Sequence, residues 1–523
     1  MPTSPNDPSS RTAPRSSRDS SRAHLALGGR HSRREFLRRS ALVAGAGLAA
    51  PWALDLTGIA GSAPVADAAT DYRALVCVFL HGGNDHDDTL VPNDPASYAR
   101  YHAARPSIAR PLDSVLSIDP IGGFPGASTF GFAPEMSALK RLFDRGDAAV
   151  VANVGTLVRP TDKARYRSRR DLPPQLFSHN DQQSYWQSSS PEGATTGWGG
   201  RLGDLLLDGN SSHSTFTCVS VSGNAVLLTG REAFQYQVSS KGVTRLRDDV
   251  FRTDAPVAGI REIMELGRAS PYAESYVDVS RRALSAADDL GAAVASADAA
   301  FDLDRWFDTD SPNRALSSLA KQLRMVAQLI VAGRDVLGLR RQVFFVSMGG
   351  FDSHSAMVDS HRPLLHALSE GVAGFHHATA AIGAQRHVTT FTASDFGRTL
   401  AGNGDGSDHG WGAHHFVVGG SVNGRRIVGR TPEVAIDGPD DVGRGRLLPT
   451  TSVDQYAATM ARWMGAGSGE LAAIVPNISN FGVDDLGFLR APSEVDDLRP
   501  RALDTVRTGI RPTTLRTARR RGR

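Results

Sequence analysis

Cysteine is nearly absent from this chain: its 523 residues hold two, Cys77 and Cys218. Neither belongs to a CxxC pair, which excludes a thiolate metal centre and a dithiol redox motif. Each sits in an apolar, strand-like run, the setting of an inert buried thiol, with a disulfide as the alternative if the protein works in an oxidising compartment. Also missing is a hydrophobic run strong enough for a stable membrane anchor. The stretch ALVAGAGLAAPWALDLTGIAGSAP is rich in Ala and Gly and is broken by Asp55. A basic body is missing too, although the net charge is +3 and the pI near 8.9. Residues 1–68 carry nine Arg against five acids and residues 501–523 carry eight Arg against one Asp, which leaves 69–500 near −8. That balance speaks against nucleic acid as a partner of the body.

The N-terminus accounts for its own charge. SRREFLRRS (32–40), with Arg33-Arg34 followed by Phe36-Leu37, resembles the twin-arginine signal read by the Tat translocase. A moderately apolar stretch follows, and Ala66-Asp67-Ala68 offers the small residues a signal peptidase needs. The expectation is a disordered leader plus signal peptide over 1–68, a mature chain from about Ala69, and a periplasmic or extracellular destination with no stable membrane anchor. One domain is expected over 69–490, with a disordered Arg-rich tail over 491–523.

Within 69–490 the pattern alternates. YRALVCVFLHGGND and DAAVVANVG read as buried strands, SALKRLFDRGD as a helix stopped by Gly, and FTCVSVSG with AVLLTG as a further β-rich patch. Leu316, Leu319, Leu323, Val326 and Ile330 recur at helical spacing, and QVFFVSM then reads as a strand ending at Gly349-Gly350. FHHATAAIG and HVTTFTASDFG repeat the order. Helix-strand alternation predicts an α/β fold, a three-layer α/β/α sandwich with a largely parallel central sheet, whose ligands sit beyond the carboxyl ends of its strands.

Those ends carry Asp and His. Asp85 follows the first strand, Asp352 and His354 follow VFFVSM, Asp395 follows VTTFTAS, and the loop GNGDGSDHGWGAHH brings Asp408, His409, His414 and His415. Oxygen and imidazole donors without thiolate suit a divalent metal (Zn, Mn, Mg or Ca). Asp352 and His354, two apart, leave an extended segment on one side. Adjacent His414 and His415 point apart, so at most one shares an ion. The competing reading of each tip is a hydrated turn; their concurrence on one sheet edge favours a site. A second cluster, LFSHNDQQSYWQSSSPEGATTGWGGR, offers Ser178 at a helix start, either as a cap or as a nucleophile, and Arg201 as an anion ligand or a structural ion pair. Arg398 in SDFGRT has the same two readings. In FLHGGNDHDD, four acidic or imidazole side chains crowd five positions.

FLHGGNDHDDTLVPND, FSHNDQQSYWQS, TGWGGR, QVFFVSMGGFDSH, SDFGRT, GSDHGWGAHHFVVGGSVNGRRIVG and LPTTSVDQYAATMARWMG together resemble the domain-of-unknown-function 1501 family, over about 72–490. The resemblance implies an alkaline-phosphatase-like sandwich of the sulfatase superfamily. It also implies metal at the strand ends, held by Asp85, Asp352, His354, Asp395, Asp408, His409 and His414. Ser178 would serve as nucleophile by position, with Arg201 or Arg398 stabilising the oxyanion. It splits FLHGGNDHDD as well: Asp85, with Asn84, becomes the functional residue, while His86, Asp87 and Asp88 read as a local departure or solvated turn. The chain departs from the superfamily pattern in lacking Cys/Ser-x-Pro-x-Arg and in its tight Asp352-x-His354 spacing. The expected function is an exported, metal-dependent hydrolase of a phosphate or sulfate ester, on a small-molecule or polymer substrate. The alternatives are a non-catalytic binding or assembly protein with a degenerate site, and a glycan-binding module using Trp198 and Trp411.

Overall fold

β1 (Arg73–Leu80) is apolar at nearly every position because it lies between two neighbours and is covered on both faces. In the computed structural model the described residues are 71–126, 128–243, 271–307, 316–491 and 494. The expected signal peptide and cleavage point and nearly all of the Arg-rich tail lie outside them. A small antiparallel sheet pairs β2 (Leu90–Pro92) and β3 (Leu116–Ser117) with β4 (Phe130–Phe132). The strands β5 (Ala148–Gly155), β6 (Cys218–Ser220), β7 (Tyr236–Gln237), β8 (Arg341–Met348) and β9 (Val388–Ser394) join β1 in the main sheet. β10 (Arg398–Gly402) and β11 (Ser407–His409) form a separate antiparallel pair. β12 (Ala413–Val418), β13 (Ile427–Val428) and β14 (Thr451–Ser452) complete the main sheet, whose order is β13-β5-β12-β9-β1-β8-β6-β7, with β14 also on β5. Every pairing in it is parallel except those of β12 with β5 and β9.

The period of two along β1 builds the layers. Ala74, Val76, Val78 and Leu80 share one core with the helices Ser137–Arg145, Ser318–Val331 and Met357–Ala381. Leu75, Cys77 and Phe79 share the other with Trp198–Leu206 and Val453–Met464. This is the α/β/α sandwich expected from the sequence. Its helices also begin and end on local signals. Ser317 caps Ser318–Val331 through the Ala320 amide, Ser452 and Gln455 form a capping box, and Gly146 ends Ser137–Arg145 in the left-handed region. Leu319, Leu323, Val326 and Ile330 are buried as their spacing predicts, and truncating such a side chain to Ala costs about 2–5 kcal/mol. Both cysteines are free and buried, Cys218 with its thiol pushed up to about 12 by burial.

Three expectations need correction. AVLLTG is not a strand: Val226–Leu228 is a 3-10 turn, packed so tightly against Trp198–Leu206 that a side chain at Gly197 would collide with it and one at Gly200 with Thr229 and Gly230 just after it. His86, Asp87 and Asp88 are not a solvated turn but lie in a buried four-residue helix, His86–Thr89, capped by Asp85. Trp198 and Trp411 are both buried, so neither indole is a platform for a glycan.

The parallel register sets the site. Leu80 pairs with Met348 on one side and Ser394 on the other, so the segments leaving β1, β8 and β9 emerge side by side.

Candidate metal centre

Asp352 leaves β8 through Gly349-Gly350 and reaches across the edge of the sheet. Gly82, at φ +112, runs so close beneath it that an added Cβ would strike the Asp352 amide nitrogen. Arg398, fully buried at the start of β10, holds the Asp352 carboxylate: Nη1 donates to Oδ1 at 2.7 Å and to the Gly82 carbonyl at 3.1 Å, and Nη2 donates to the Ser407 carbonyl. Burial alone would raise the Asp352 carboxyl, but Arg398 lowers it and keeps it ionised.

Three imidazoles surround that carboxylate. His179, first residue of the helix His179–Ser188, places Nδ1 2.7 Å from Asp395 Oδ2 and Nε2 3.4 Å from Asp352 Oδ2. His409, at the end of β11, places Nδ1 2.8 Å from the Phe177 carbonyl and Nε2 3.2 Å from Asp352 Oδ1. His354 faces Asp408 Oδ1 through Nδ1 at 3.3 Å, while its Nε2 lies 3.0 Å from Asp352 Oδ1 and 2.9 Å from His409 Nε2. Tautomers follow from partners. We assign each ring proton to Nδ1, which has an acceptor at 2.7–3.3 Å, and this turns three Nε2 lone pairs toward one another and toward the Asp352 carboxylate. Lone pairs so placed repel unless a proton or cation stands among them. His179 Nε2 is also buried without a hydrogen-bond partner.

Donor atoms of His179, Asp352 and His409 lie within 4.8 Å of one another, the one group of three His, Cys, Asp or Glu among the described residues able to share an ion. Three protein ligands with solvent access is the pattern of a catalytic site that keeps an open position; the Asp352 side chain is 45% exposed. The hydrogen bond to Asp395 raises the His179 pKa against burial. His409 is lowered, chiefly by burial, and stays neutral and able to ligate.

The backbone around the centre is strained. Phe177 adopts φ +73, a conformation that bulky residues avoid at a cost of about 1–3 kcal/mol. That conformation accompanies the contact of its carbonyl with His409, and Arg446 lies over its ring at 4.4 Å while donating to the His409 carbonyl.

Of the residues singled out in the sequence, Asp352, His354, Asp408, His409, Arg398 and Asp395 come together here. Asp395 stands one step back. Its Oδ2 accepts from His179 Nδ1, the Gly82 amide and Gln183 Nε2, so it orients His179. Asp85 is elsewhere, buried in a two-pronged ion pair with Arg105 at 2.9 and 3.1 Å and accepting from Ser407 Oγ at 2.8 Å. Burial would raise it, but Arg105 holds it far below the ordinary carboxylate range. His414 is buried against His86, accepts the Asn153 amide, and is held well below its ordinary pKa by burial. Arg201 clips the Ile474, Thr196 and Ser188 carbonyls. The Ser178 hydroxyl donates to Asp181 at 2.9 Å and makes no cap bond. Sequence reasoning missed His179, Gln183 and the Phe177 carbonyl; the one signal was a His directly after Ser178 at a helix start.

The family model described as "Protein of unknown function (DUF1501)" matches residues 72–473. No curated protein matches the chain. Among solved structures it is similar to Ps i-CgsB in complex with k-i-k-neocarrahexaose, at 10% identity over 80% of this chain and 77% of that one, with a TM-score of 0.32. It is also similar to the lipoteichoic acid synthase LtaP from Listeria monocytogenes, at 9% identity over 82% and 81% with a TM-score of 0.32. A mutant of the alkaline phosphatase PafA matches at 11% identity over 65% and 64%, with a TM-score of 0.24. Likeness at this level assigns no residue and no substrate.

Proposed function

The chain belongs to the DUF1501 family, and from that premise we propose that it is an exported, metal-dependent hydrolase of a phosphate or sulfate ester. The observation that carries the reading is the convergence of three imidazole Nε2 atoms on the Asp352 carboxylate, each ring fixed from behind by an acceptor at Nδ1.

His179, Asp352 and His409 are the residues that would hold the ion, and the donor set suits Zn or Mn. A divalent cation there supplies charge neutralisation for an ester oxygen. The chain's own groups do the rest. Asp395 and the Phe177 carbonyl fix the two rings, and Arg398 fixes Asp352. Arg398 is enclosed by these bonds and serves as a positioning residue. His354 is exposed, backed by Asp408 and presents Nε2 to the centre, which suits it to take a proton from the attacking water as it adds to phosphorus or sulfur and to return that proton to the leaving oxygen as its bond breaks. Export by the Tat translocase belongs to the same reading: twin-arginine substrates cross already folded, often with a cofactor or metal loaded. Among the described residues no helix is long and apolar enough to cross a membrane.

Elemental analysis of the purified mature protein, paired with a panel of phosphate and sulfate monoesters and diesters, tests the proposal. One equivalent of Zn or Mn, ester turnover, and loss of both in His179→Ala are expected. Metal bound without turnover of any ester would instead favour the non-catalytic binding protein, and a folded chain without stoichiometric metal would defeat the metal centre itself.

A further inference from the structure

The segment 159–177 leads into the centre and carries six Arg or Lys against two Asp, a net of +4 on a body that is otherwise acidic. Its apolar residues anchor it: Tyr166, Leu172, Leu176 and Phe177 pack on the small core of Leu157, Trp411 and Leu448. Its charged residues divide. Arg159 and Arg165 share Asp171, at 3.5 and 2.8 Å, and Lys163 donates to the Gly438 carbonyl. Arg167, Arg169 and Arg170 are exposed and have no carboxylate partner among the described residues. Arg169, Asp171, Gln175 and Phe177 all adopt left-handed backbone conformations, at φ 54, 53, 47 and 73, so the segment is a shaped strap. Its own curve encloses an open cavity of about 680 Å³, lined on the polar side by Arg167, Arg169 and Gln175 and otherwise by Tyr166 and the run from Leu172 to Phe177. Phe177 closes its end and is the residue whose carbonyl holds His409.

We propose that this strap is a polyanion subsite, and that the substrate is a glycan carrying several sulfate or phosphate esters: one sits at the metal centre while others lie against Arg167, Arg169 and Arg170. Guanidinium groups left without carboxylates match sulfate and phosphate oxygens in charge and in paired geometry. A cavity of this volume falls within the roughly 300–1,000 Å³ of small-molecule sites, room for a sugar unit or two and not for a macromolecular face. Single-stranded nucleic acid fits less well, because it needs free aromatic faces for its bases. Here the Phe177 ring is covered by Arg446, and Tyr166 lies against Trp411 at 5.8 Å. The catalytic part of this assignment rests on the hydrolase reading; the binding part does not.

The test measures binding of heparin, a phosphomannan, neutral dextran and single-stranded DNA to the mature protein over a range of salt, alongside its metal content. The same is done for a variant combining Arg167→Gln, Arg169→Asn and Arg170→Gln, with Asn chosen because it tolerates the left-handed backbone. Salt-sensitive binding of at least one charged glycan and none of dextran is expected, weakened at least tenfold in the variant with its metal content unchanged. Preference for heparin assigns sulfate, and preference for phosphomannan assigns phosphate. The subsite is overturned if neither glycan binds, if the variant binds as tightly as the parent, or if DNA binds more tightly than both. Glycan binding that depends on the strap in a protein without metal or turnover would defeat the hydrolase and leave the subsite standing.

Discussion

At the scale of single residues, His179 and Asp395 show how the centre is tuned. A carboxylate behind a ligating histidine sets its tautomer, holds its ring and raises its basicity. Asp395→Asn removes the charge but not the volume, and is expected to weaken Zn binding about 10–100-fold. Proton competition gives a second readout. The His179 pKa is raised above its ordinary value, first by the hydrogen bond to Asp395. Metal uptake should therefore fall as pH drops through that raised value, because the proton occupies Nε2. In Asp395→Asn the fall should move to lower pH although the plateau is weaker. Chelator-competition titrations between about pH 5 and 8 check both effects. An unchanged midpoint would mean that Asp395 acts only as packing.

At the scale of elements, the loops after β1, β8 and β9 form one device. Register brings them to the same edge, and Gly82 is where they touch. Its φ of +112 is one that L side chains rarely adopt, and a Cβ there would meet the backbone of Phe351 and Asp352. Gly82→Ala should therefore displace Asp352 and cut metal affinity while the sheet itself stays folded. The measurement is zinc stoichiometry beside far-ultraviolet circular dichroism; a variant with full zinc would show that the loop yields. Gly406 makes the same kind of contact from the other side, against the backbone of Ser353 and His354. The loops are tightly packed, which is what holding ligand geometry demands.

At the scale of the whole molecule, the proposed ion would be held by His179, Asp352 and His409, from three distant parts of the chain, and so would bind the folded state and not the unfolded one. Mass action then stabilises the fold by about 2.7 kcal/mol when free metal is 100 times its Kd. For a chain of this size that is roughly 3 °C in Tm. Chelator should lower the Tm of the metal-loaded parent by this order and leave His179→Ala unmoved, which scanning calorimetry measures directly. A parent insensitive to chelator would argue against a centre of this affinity.

Much of this was legible in the sequence because local physics sets it. Strand and helix periods pointed to the sandwich, Gly146 marked a helix end, and Asp352, His354, Asp408 and His409 stood out as donors at the ends of apolar runs. The sequence by itself determined the alternation of the main strands and helices and which residue types their ends present, while Val226–Leu228 and His86–Thr89 took forms that no local pattern announced. Only the tertiary structure decided their partners. Asp85 has the same local signature as Asp352, yet Arg105, 20 residues on, takes both its oxygens. His179 reads as an unremarkable first residue of a helix until Asp395, 216 positions away, fixes its ring. A ligand is defined by the direction of its lone pair and by what competes for it, and both are set by long-range packing of loops whose register no local pattern encodes.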